Sequence, residues 1–240
     1  MDERERLQRA TELEPLAPGF IHEMRHPLMG VLAGLELVAR RLPAVAGLRE
    51  WTIVTDQAKR LEELFRTYYD LFAGAPQKPR PFAVDETVKR AVSLLHLRLR
   101  KLGDRFSLSS SSGPVLALGG GPPLLHAVTN LLSNALDALD DGGGSGRLEI
   151  RIVRAANEVE VRVSDQGSGI PAAARARLFE PRFTTKPPDK GSGLGLYLAR
   201  AAMERSGGAL RLVEEQEPGR APWARTEFAI VMPSCGGALP

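Results

Sequence analysis

Apolar residues recur at alternating steps of three and four in two stretches of the N-terminal third. This spacing is typical of two helices that each carry one apolar seam. Residues 43–47 separate the stretches and predict a short turn, so residues 1–75 are expected to form a helical hairpin. Two helices bury two seams poorly, which favours a homodimeric four-helix bundle. The first seam is Ile21, Met24, Leu28, Val31, Leu35, Val38 and Leu42, and the second is Trp51, Val54, Ala58, Leu61, Phe65, Tyr68 and Phe72.

The rest of the chain alternates between helical and strand patterns. Proline-rich residues 76–82 predict a linker, followed by a second domain over residues 83–240. Residues 124–139 have the pattern of a buried amphipathic helix. Residues 148–152 and 159–163 alternate apolar and polar side chains, which predicts two antiparallel strands. We therefore expect an α+β fold whose C-terminal domain is an α/β sandwich with its helices on one face of the sheet.

Composition narrows the possible functions. The chain has 240 residues and a net charge of +3 without a sustained Lys/Arg run, so nucleic-acid binding is not indicated. Cys235 is the single cysteine, which excludes a disulfide within the chain and fits a cytoplasmic protein. No apolar stretch approaches the roughly 18 residues of a membrane span, so no membrane segment is expected.

His22 and Glu23 lie beside the first apolar seam of the hairpin. If Ile21 and Met24 face the seam, the His22 imidazole points outward. An exposed imidazole with an acidic neighbour can lose a proton and attack phosphorus. Taken alone, however, an exposed helical histidine is more often an ordinary surface residue.

Three polar residues share one face of the predicted helix 124–139. Asn130, Asn134 and Asp137 are four and three residues apart, which places them along one side. Amide oxygens on a helix rim suit Mg²⁺, which prefers oxygen ligands and retains waters and phosphate oxygens. An ordinary polar helix face explains Asn130 and Asn134 about equally well.

Asp165, Gly167 and Gly169 follow directly after the second predicted strand. A carboxylate at a strand end can accept a hydrogen bond from an exocyclic amine such as that of adenine. The glycines would allow the backbone to approach a flat ring closely. The same residues also form an ordinary turn sequence.

A second glycine-rich loop precedes the last predicted helix. Exposed backbone N–H groups and the helix dipole would make this loop a phosphate cradle. Thr185 and Lys186 lie upstream and offer a hydroxyl and a cation, and the residues between them and the loop suit a mobile lid. The loop residues concerned are Gly191, Gly193, Leu194 and Gly195.

Five segments in this order resemble the H, N, G1, F and G2 boxes of bacterial sensor histidine kinases. They are residues 20–28, 130–135, 165–169, 178–186 and 191–196. The chain is thus similar to the catalytic core of these kinases, a dimerisation and phosphoacceptor hairpin followed by a Bergerat-type ATP-binding domain. Each motif is weak alone, but five in the family's order are specific.

The resemblance implies a role for each matching position. His22 would accept the γ-phosphate of ATP, with Glu23 as general base. Asn130 and Asn134 would hold Mg²⁺ and the phosphates, and Asp165 would select adenine. The phosphoryl group would then pass to an aspartate of a response regulator receiver domain. The remaining nucleotide-binding positions are Asp137, Gly167, Gly169, Thr185, Lys186, Gly191, Gly193, Leu194 and Gly195.

Some features depart from the family pattern. His26 stands where Asn or Thr is common, which puts phosphatase activity in doubt, and Arg182 stands where Phe is common. About ten residues precede the hairpin, so we expect either an excised core or an input from a separate sensor protein. The alternative to a kinase is an ATP-binding scaffold of the same fold without phosphotransfer.

Overall fold

The computed structural model describes residues 17–58, 61, 79–111, 113–155, 157–186 and 193–235, and the side chains of these except for 17–27 and 29. The chain divides into two compact units, with the boundary after Ala75.

The first unit contains two helices joined by a tight connection. Helix α1 is Ala17–Arg41, a 3₁₀ turn is Pro43–Gly47, and residues 49–58 form helix α2. The turn lies where the sequence predicted it. Arg40 and Arg41 occupy the last turn of α1, where cations offset the negative end of the helix dipole.

Most heptad positions with described side chains are not buried within a single hairpin. Leu28 and Ala58 are buried. Leu35 and Trp51 are half-buried. By contrast, five positions are exposed, from 39% at Val38 to 59% at Leu42, with Val31, Val54 and Leu61 between these values. A row of exposed apolar side chains on one face favours an interaction surface. The homodimeric bundle stays a prediction.

The second unit alternates strands and helices. Its strands are β1 Arg80–Ala83, β2 Phe106–Ser110, β3 Leu116–Gly119, β4 Leu148–Arg154, β5 Glu158–Asp165, β6 Ala209–Leu212 and β7 Thr226–Pro233. Its helices are α3 Val84–Leu94, α4 His96–Leu99, α5 Gly121–Asp141, α6 Ala172–Arg175 and α7 Gly195–Arg205, with a 3₁₀ segment Arg100–Arg105 after α4. Among the described residues, no helix has the length and hydropathy needed to cross a membrane.

The main sheet has five strands in the order β2-β4-β5-β7-β6. The predicted antiparallel pair is confirmed as β4 and β5, in a register that sets Ile150 opposite Val163 and Ile152 opposite Val161. Strand β2 runs parallel to β4, whereas all other neighbours are antiparallel. A separate two-stranded sheet pairs β1 with β3.

Helix α5 lies at the centre of the apolar core. It extends three residues before and two after the predicted helix, and it contacts α3, α7 and β5. Leu124, Leu131 and Leu132 are buried on its inner side, and each buried leucine contributes about 2 kcal/mol through removal of apolar surface from water. The predicted α/β sandwich, with helices packed on one face of the sheet, is confirmed.

The other face of the sheet carries a buried ion network. The Glu227 side chain has no exposed surface, and it accepts hydrogen bonds from Arg162 at 3.2 Å, Arg151 at 3.2 Å, Ser164 at 2.7 Å and the Ala221 backbone at 2.9 Å. Alternation along β5 explains the placement, because residues 160, 162 and 164 face away from the core side of residues 161 and 163. The network continues through Glu160, Glu217 and Arg211. These contacts hold the β6–β7 connection against the sheet.

We predict that Glu227→Gln destabilises the protein strongly. The substitution keeps the shape of the side chain but leaves two arginines beside a neutral group, and breaking a buried ion pair costs about 3–5 kcal/mol. Urea unfolding of the full chain would measure the loss. Glu215→Gln is the matched control, because Glu215 pairs with Arg175 at 2.7 Å on the exposed surface. Equal unfolding free energies for the two variants would contradict the prediction.

Candidate functional site

The rim of α5 brings the predicted amide residues together. Asn130, Asn134 and Asp137 are partly buried on the side of the helix away from Leu132. The Asn134 side-chain N–H donates to Asn130 Oδ1 at 3.1 Å. Two amide oxygens and a carboxylate therefore lie along two turns of one helix, as the sequence spacing predicted.

Lys186 joins this rim from a distant part of the chain. Its Nζ donates to Asp137 Oδ2 at 2.6 Å and to Asn134 Oδ1 at 3.2 Å, across 49 and 52 residues of sequence. The Lys186 backbone N–H donates to Thr184 Oγ1 at 3.1 Å, which closes a local turn. Thr185, also predicted for the site, lies beside Lys186 and is exposed.

Asp137 has a second cationic partner that the sequence did not indicate. An Arg98 amino group donates to Asp137 Oδ1 at 2.7 Å and to Asp140 Oδ2 at 3.0 Å. Burial alone would raise the pKa of the Asp137 carboxyl, but the hydrogen bonds and charges of Lys186 and Arg98 hold the pKa below its usual value. Arg98 lies 39 residues before Asp137 and outside every recognised motif, so no local pattern marked it.

Asp165 ends strand β5 as a buried carboxylate with 4% of its surface exposed. Burial raises the pKa of Asp165 to about 6, against a smaller opposing effect of the Gly167 N–H, which donates to Oδ1 at 2.8 Å. An ionised Asp165 is therefore costly at neutral pH unless a further donor reaches it. A ligand amine is such a donor.

The loop after Asp165 is fixed to α5 by close backbone packing. A Cβ at Gly167 would lie 2.5 Å from the Ala138 side chain, so a larger residue would push the loop off the helix. The Ser168 N–H donates to the Ala138 carbonyl at 3.0 Å, and Gly169 has φ +78°, which favours glycine. The adenine-selecting loop predicted from sequence thus lies against the helix that carries the amide residues.

The second glycine loop also contacts the α5 rim. A Cβ at Gly195, the first residue of α7, would overlap the side-chain amide of Asn130. Gly193 has φ +64°, and a Cβ there would lie 2.6 Å from the carbonyl oxygen of Arg182. Arg182 itself adopts φ +64°, the left-handed region that is strained for a residue with a side chain. Leu194 connects the two glycines, whereas Gly191 lies outside the described residues.

The site suits a magnesium ion by the chemistry of its donors. In the described ranges, no three His, Cys, Asp or Glu side chains converge as a metal cluster. Asn130 and Asn134 instead offer amide oxygens, which would complete a magnesium shell together with phosphate oxygens and water. These two residues fit the predicted metal-binding role, which stays a prediction.

The predicted phosphoacceptor residues are in the first unit. Helix α1 includes positions 22 and 23, but the side chains of His22 and Glu23 lie outside the described residues. Their roles as acceptor and general base therefore stay predictions.

We predict that Asp165→Asn removes a pH dependence of stability. The wild-type carboxyl has a folded-state pKa of about 6, above its unfolded value of 3.8, so its stabilising contribution is full below pH 4 and is lost as the pH rises through 6. Between pH 4 and 7 the free energy of unfolding of the asparagine variant should rise relative to wild type by about 3 kcal/mol. Urea unfolding across this range measures the difference, and a constant difference would contradict the assignment.

Several known proteins are similar to this chain in sequence and in fold. Residues 119–234 match the family model described as "Histidine kinase-, DNA gyrase B-, and HSP90-like ATPase". The sensory histidine kinase/phosphatase NtrB of Klebsiella oxytoca is 29% identical over 96% of this chain and 65% of its own length. The signal transduction histidine-protein kinase/phosphatase MprB of Mycobacterium sp. strain KMS is 35% identical over 88% of this chain and 42% of its own length. The chain thus spans less than two thirds of these relatives.

Solved structures agree with the sequence comparison. A mycobacterial sensor histidine kinase MprB structure is 30% identical, with a TM-score of 0.50, and the alignment covers 65% of this chain and 97% of that one. The full-length ShkA structure in complex with AMPPNP shares the fold, with a TM-score of 0.65 at 21% identity over 94% of this chain and 47% of that chain. This chain belongs to the histidine kinase-, DNA gyrase B- and HSP90-like ATPase family, as a sensor histidine kinase catalytic core.

Proposed function

We propose that this chain is an ATP-dependent protein-histidine kinase that phosphorylates its own His22 and passes the phosphoryl group to an aspartate of a response regulator receiver domain. The observation that supports ATP binding best is the convergence of Lys186 with Asn134 and Asp137 beside the Asp165 loop. The relatives NtrB and MprB carry histidine kinase/phosphatase in their names, which supports the reaction class.

Asp165 would recognise adenine. Its carboxylate would accept a hydrogen bond from the exocyclic amine of the base. That bond would offset the unfavourable free energy of keeping the buried carboxyl ionised. Gly167 and Gly169 would leave room for the flat ring beside the backbone. Of the two described carboxylates predicted for the site, Asp165 and Asp137, this arrangement uses the more deeply buried one.

Lys186, Asn130 and Asn134 would hold the phosphates and Mg²⁺. Bound Mg²⁺ would neutralise charge on the phosphate oxygens during transfer. The Asn134 amide oxygen already accepts a hydrogen bond from Lys186, and the Asn130 amide oxygen accepts one from the Asn134 side chain. These internal contacts would be exchanged for ligand contacts on binding. The N–H groups at the start of α7 would face the phosphates, since an 11-residue helix presents a positive dipole end.

The transfer step would take place at His22. A neutral imidazole nitrogen of His22 would attack the γ-phosphorus and form an N–P bond, while the bond from that phosphorus to the bridging oxygen breaks and ADP leaves. Glu23 would accept the proton released by the imidazole. The phosphoryl group would then move to the carboxylate of the receiver aspartate, which restores the histidine.

Labelling tests the kinase proposal against the scaffold alternative. Incubation with γ-labelled ATP and Mg²⁺ should give an acid-labile phosphoprotein with the wild type and none with His22→Gln, because the substitution removes the acceptor nitrogen. His26→Gln is the matched control and should still be labelled. Undiminished label in the His22 variant would exclude His22 as acceptor. ATP binding without label in the wild type would favour a nucleotide-gated scaffold.

A homodimer is the second part of the proposal. Val38 is a heptad position with 39% of its surface exposed in the single chain, so a charge there costs little unless a second hairpin covers it. We expect Val38→Glu to shift the protein from dimer to monomer in light scattering. Leu37→Glu is the control, because Leu37 is 50% exposed and lies off the seam. A Val38→Glu dimer as stable as the wild type would contradict the bundle.

A further inference from the structure

Arg98 connects the α3–α4 region to the candidate site. It lies on α4, and its amino group donates to Asp137 and Asp140 of α5, which are one turn apart. About a third of the Arg98 and Asp137 side chains is exposed, whereas Asp140 is mostly exposed. The contact with Asp137 is therefore the better shielded of the two and the stronger electrostatically.

The two oxygens of Asp137 have different cationic partners. Oδ1 accepts from Arg98 at 2.7 Å and Oδ2 accepts from Lys186 at 2.6 Å. Lys186 also occupies the Asn134 amide oxygen at 3.2 Å. The cation expected to meet the phosphates is thus bonded to a carboxylate of the protein itself.

Binding of a triphosphate would redistribute these charges. Lys186 would have to leave Asp137 to reach the phosphates, and the Asp137 carboxylate would then stand one turn from Asn134, near several negative phosphate oxygens. A carboxylate left without a cation at this place would repel the ligand. Arg98 is the described residue that remains bonded to Asp137 after Lys186 departs.

We infer that Arg98 is a positioning residue of the nucleotide site, which holds and neutralises Asp137 while Lys186 moves from that carboxylate to the phosphates of ATP. The inference rests on the proposed ATP-binding function. Arg98 acts through Asp137 and touches no substrate. Its loss would have two effects of the same sign, because Asp137 would retain Lys186 more tightly and would repel the phosphates more strongly once it is free.

An electrostatic role of Arg98 and a merely structural link between α4 and α5 have different consequences for nucleotide binding. A structural role would lower the affinity for every nucleotide equally and would persist whatever residue stands at position 137. The electrostatic role instead weakens ATP more than ADP, since ATP brings more negative charge to the phosphate end. It also disappears when Asp137 is replaced by asparagine, because there is then no carboxylate to neutralise.

Calorimetric titration with Mg²⁺·ATP and Mg²⁺·ADP tests this in the full chain. We expect Arg98→Gln to weaken ATP binding about tenfold and ADP binding about twofold, since charged hydrogen bonds of this kind are worth one to two factors of ten at most. Arg98→Lys should recover part of the loss by restoring the charge. Arg98→Gln in an Asp137→Asn background should bind both nucleotides as Asp137→Asn alone does. Arg100→Gln, an exposed arginine two residues away, is the control and should bind as wild type.

Several outcomes would overturn the inference. Wild-type affinity of Arg98→Gln for ATP, an equal loss for ATP and ADP, or an unchanged loss in the Asp137→Asn background would each exclude the electrostatic role. Thermal unfolding of each variant verifies that it is folded. If Arg98→Gln is unfolded, the ATP and ADP affinities of Arg98→Lys test the inference instead. A wild type that binds no ATP would defeat the proposed function, and the inference with it. ATP binding by the wild type with the wrong variant pattern would defeat the inference alone.

Discussion

Helix α5 buries eight residues of one side in the core, and the described parts of the site are arranged on its other side. The helix rim carries the two amide residues, the Asp165 loop bonds to its Ala138 carbonyl, and Lys186 reaches its Asp137. The start of α7 abuts Asn130 so closely that a larger residue at position 195 would displace the Asn130 side chain. Because core packing fixes the rotation of α5, it also fixes the direction of these polar groups. A turn of the helix by one residue would break the core and the site together.

Local periodicity in the sequence predicted the elements whose pattern is complete within the element. The described helices of the hairpin, the buried helix and the β4–β5 pair followed from steps of three to four residues or of two, whereas the apolar seams of the hairpin stay a prediction. The parallel pairing of β2 with β4, the Glu227 network and Arg98 did not follow, because each joins residues far apart in sequence. Asn134 and Asp137 were predicted from spacing alone, but their shared partner Lys186 is brought to them only by the fold.

Polar groups of the candidate site bond to one another. Asn134 bonds to Asn130, Lys186 bonds to Asn134 and Asp137, and Arg98 bonds to Asp137. A nucleotide bound as proposed would therefore replace protein contacts, and its affinity would be the difference between two sets of similar bonds. Asp165 differs from these groups, because burial disfavours its charge. Under the proposed function, base recognition and phosphate recognition would therefore differ in their energetic origin.

The Glu227 network has a consequence for how this sequence can diverge. Arg151, Arg162 and Ser164 all bond to one fully buried carboxylate. Replacement of Glu227 alone leaves buried arginines without a counter-charge, whereas joint replacement by apolar residues of similar volume need not destabilise the sheet. Single substitutions of Glu227 are therefore selected against, whereas substitutions that change several residues of the network together can be tolerated. The residues of the network should be inherited or lost as a group, and they should covary more strongly than the apolar residues on the opposite face, which tolerate exchange one at a time.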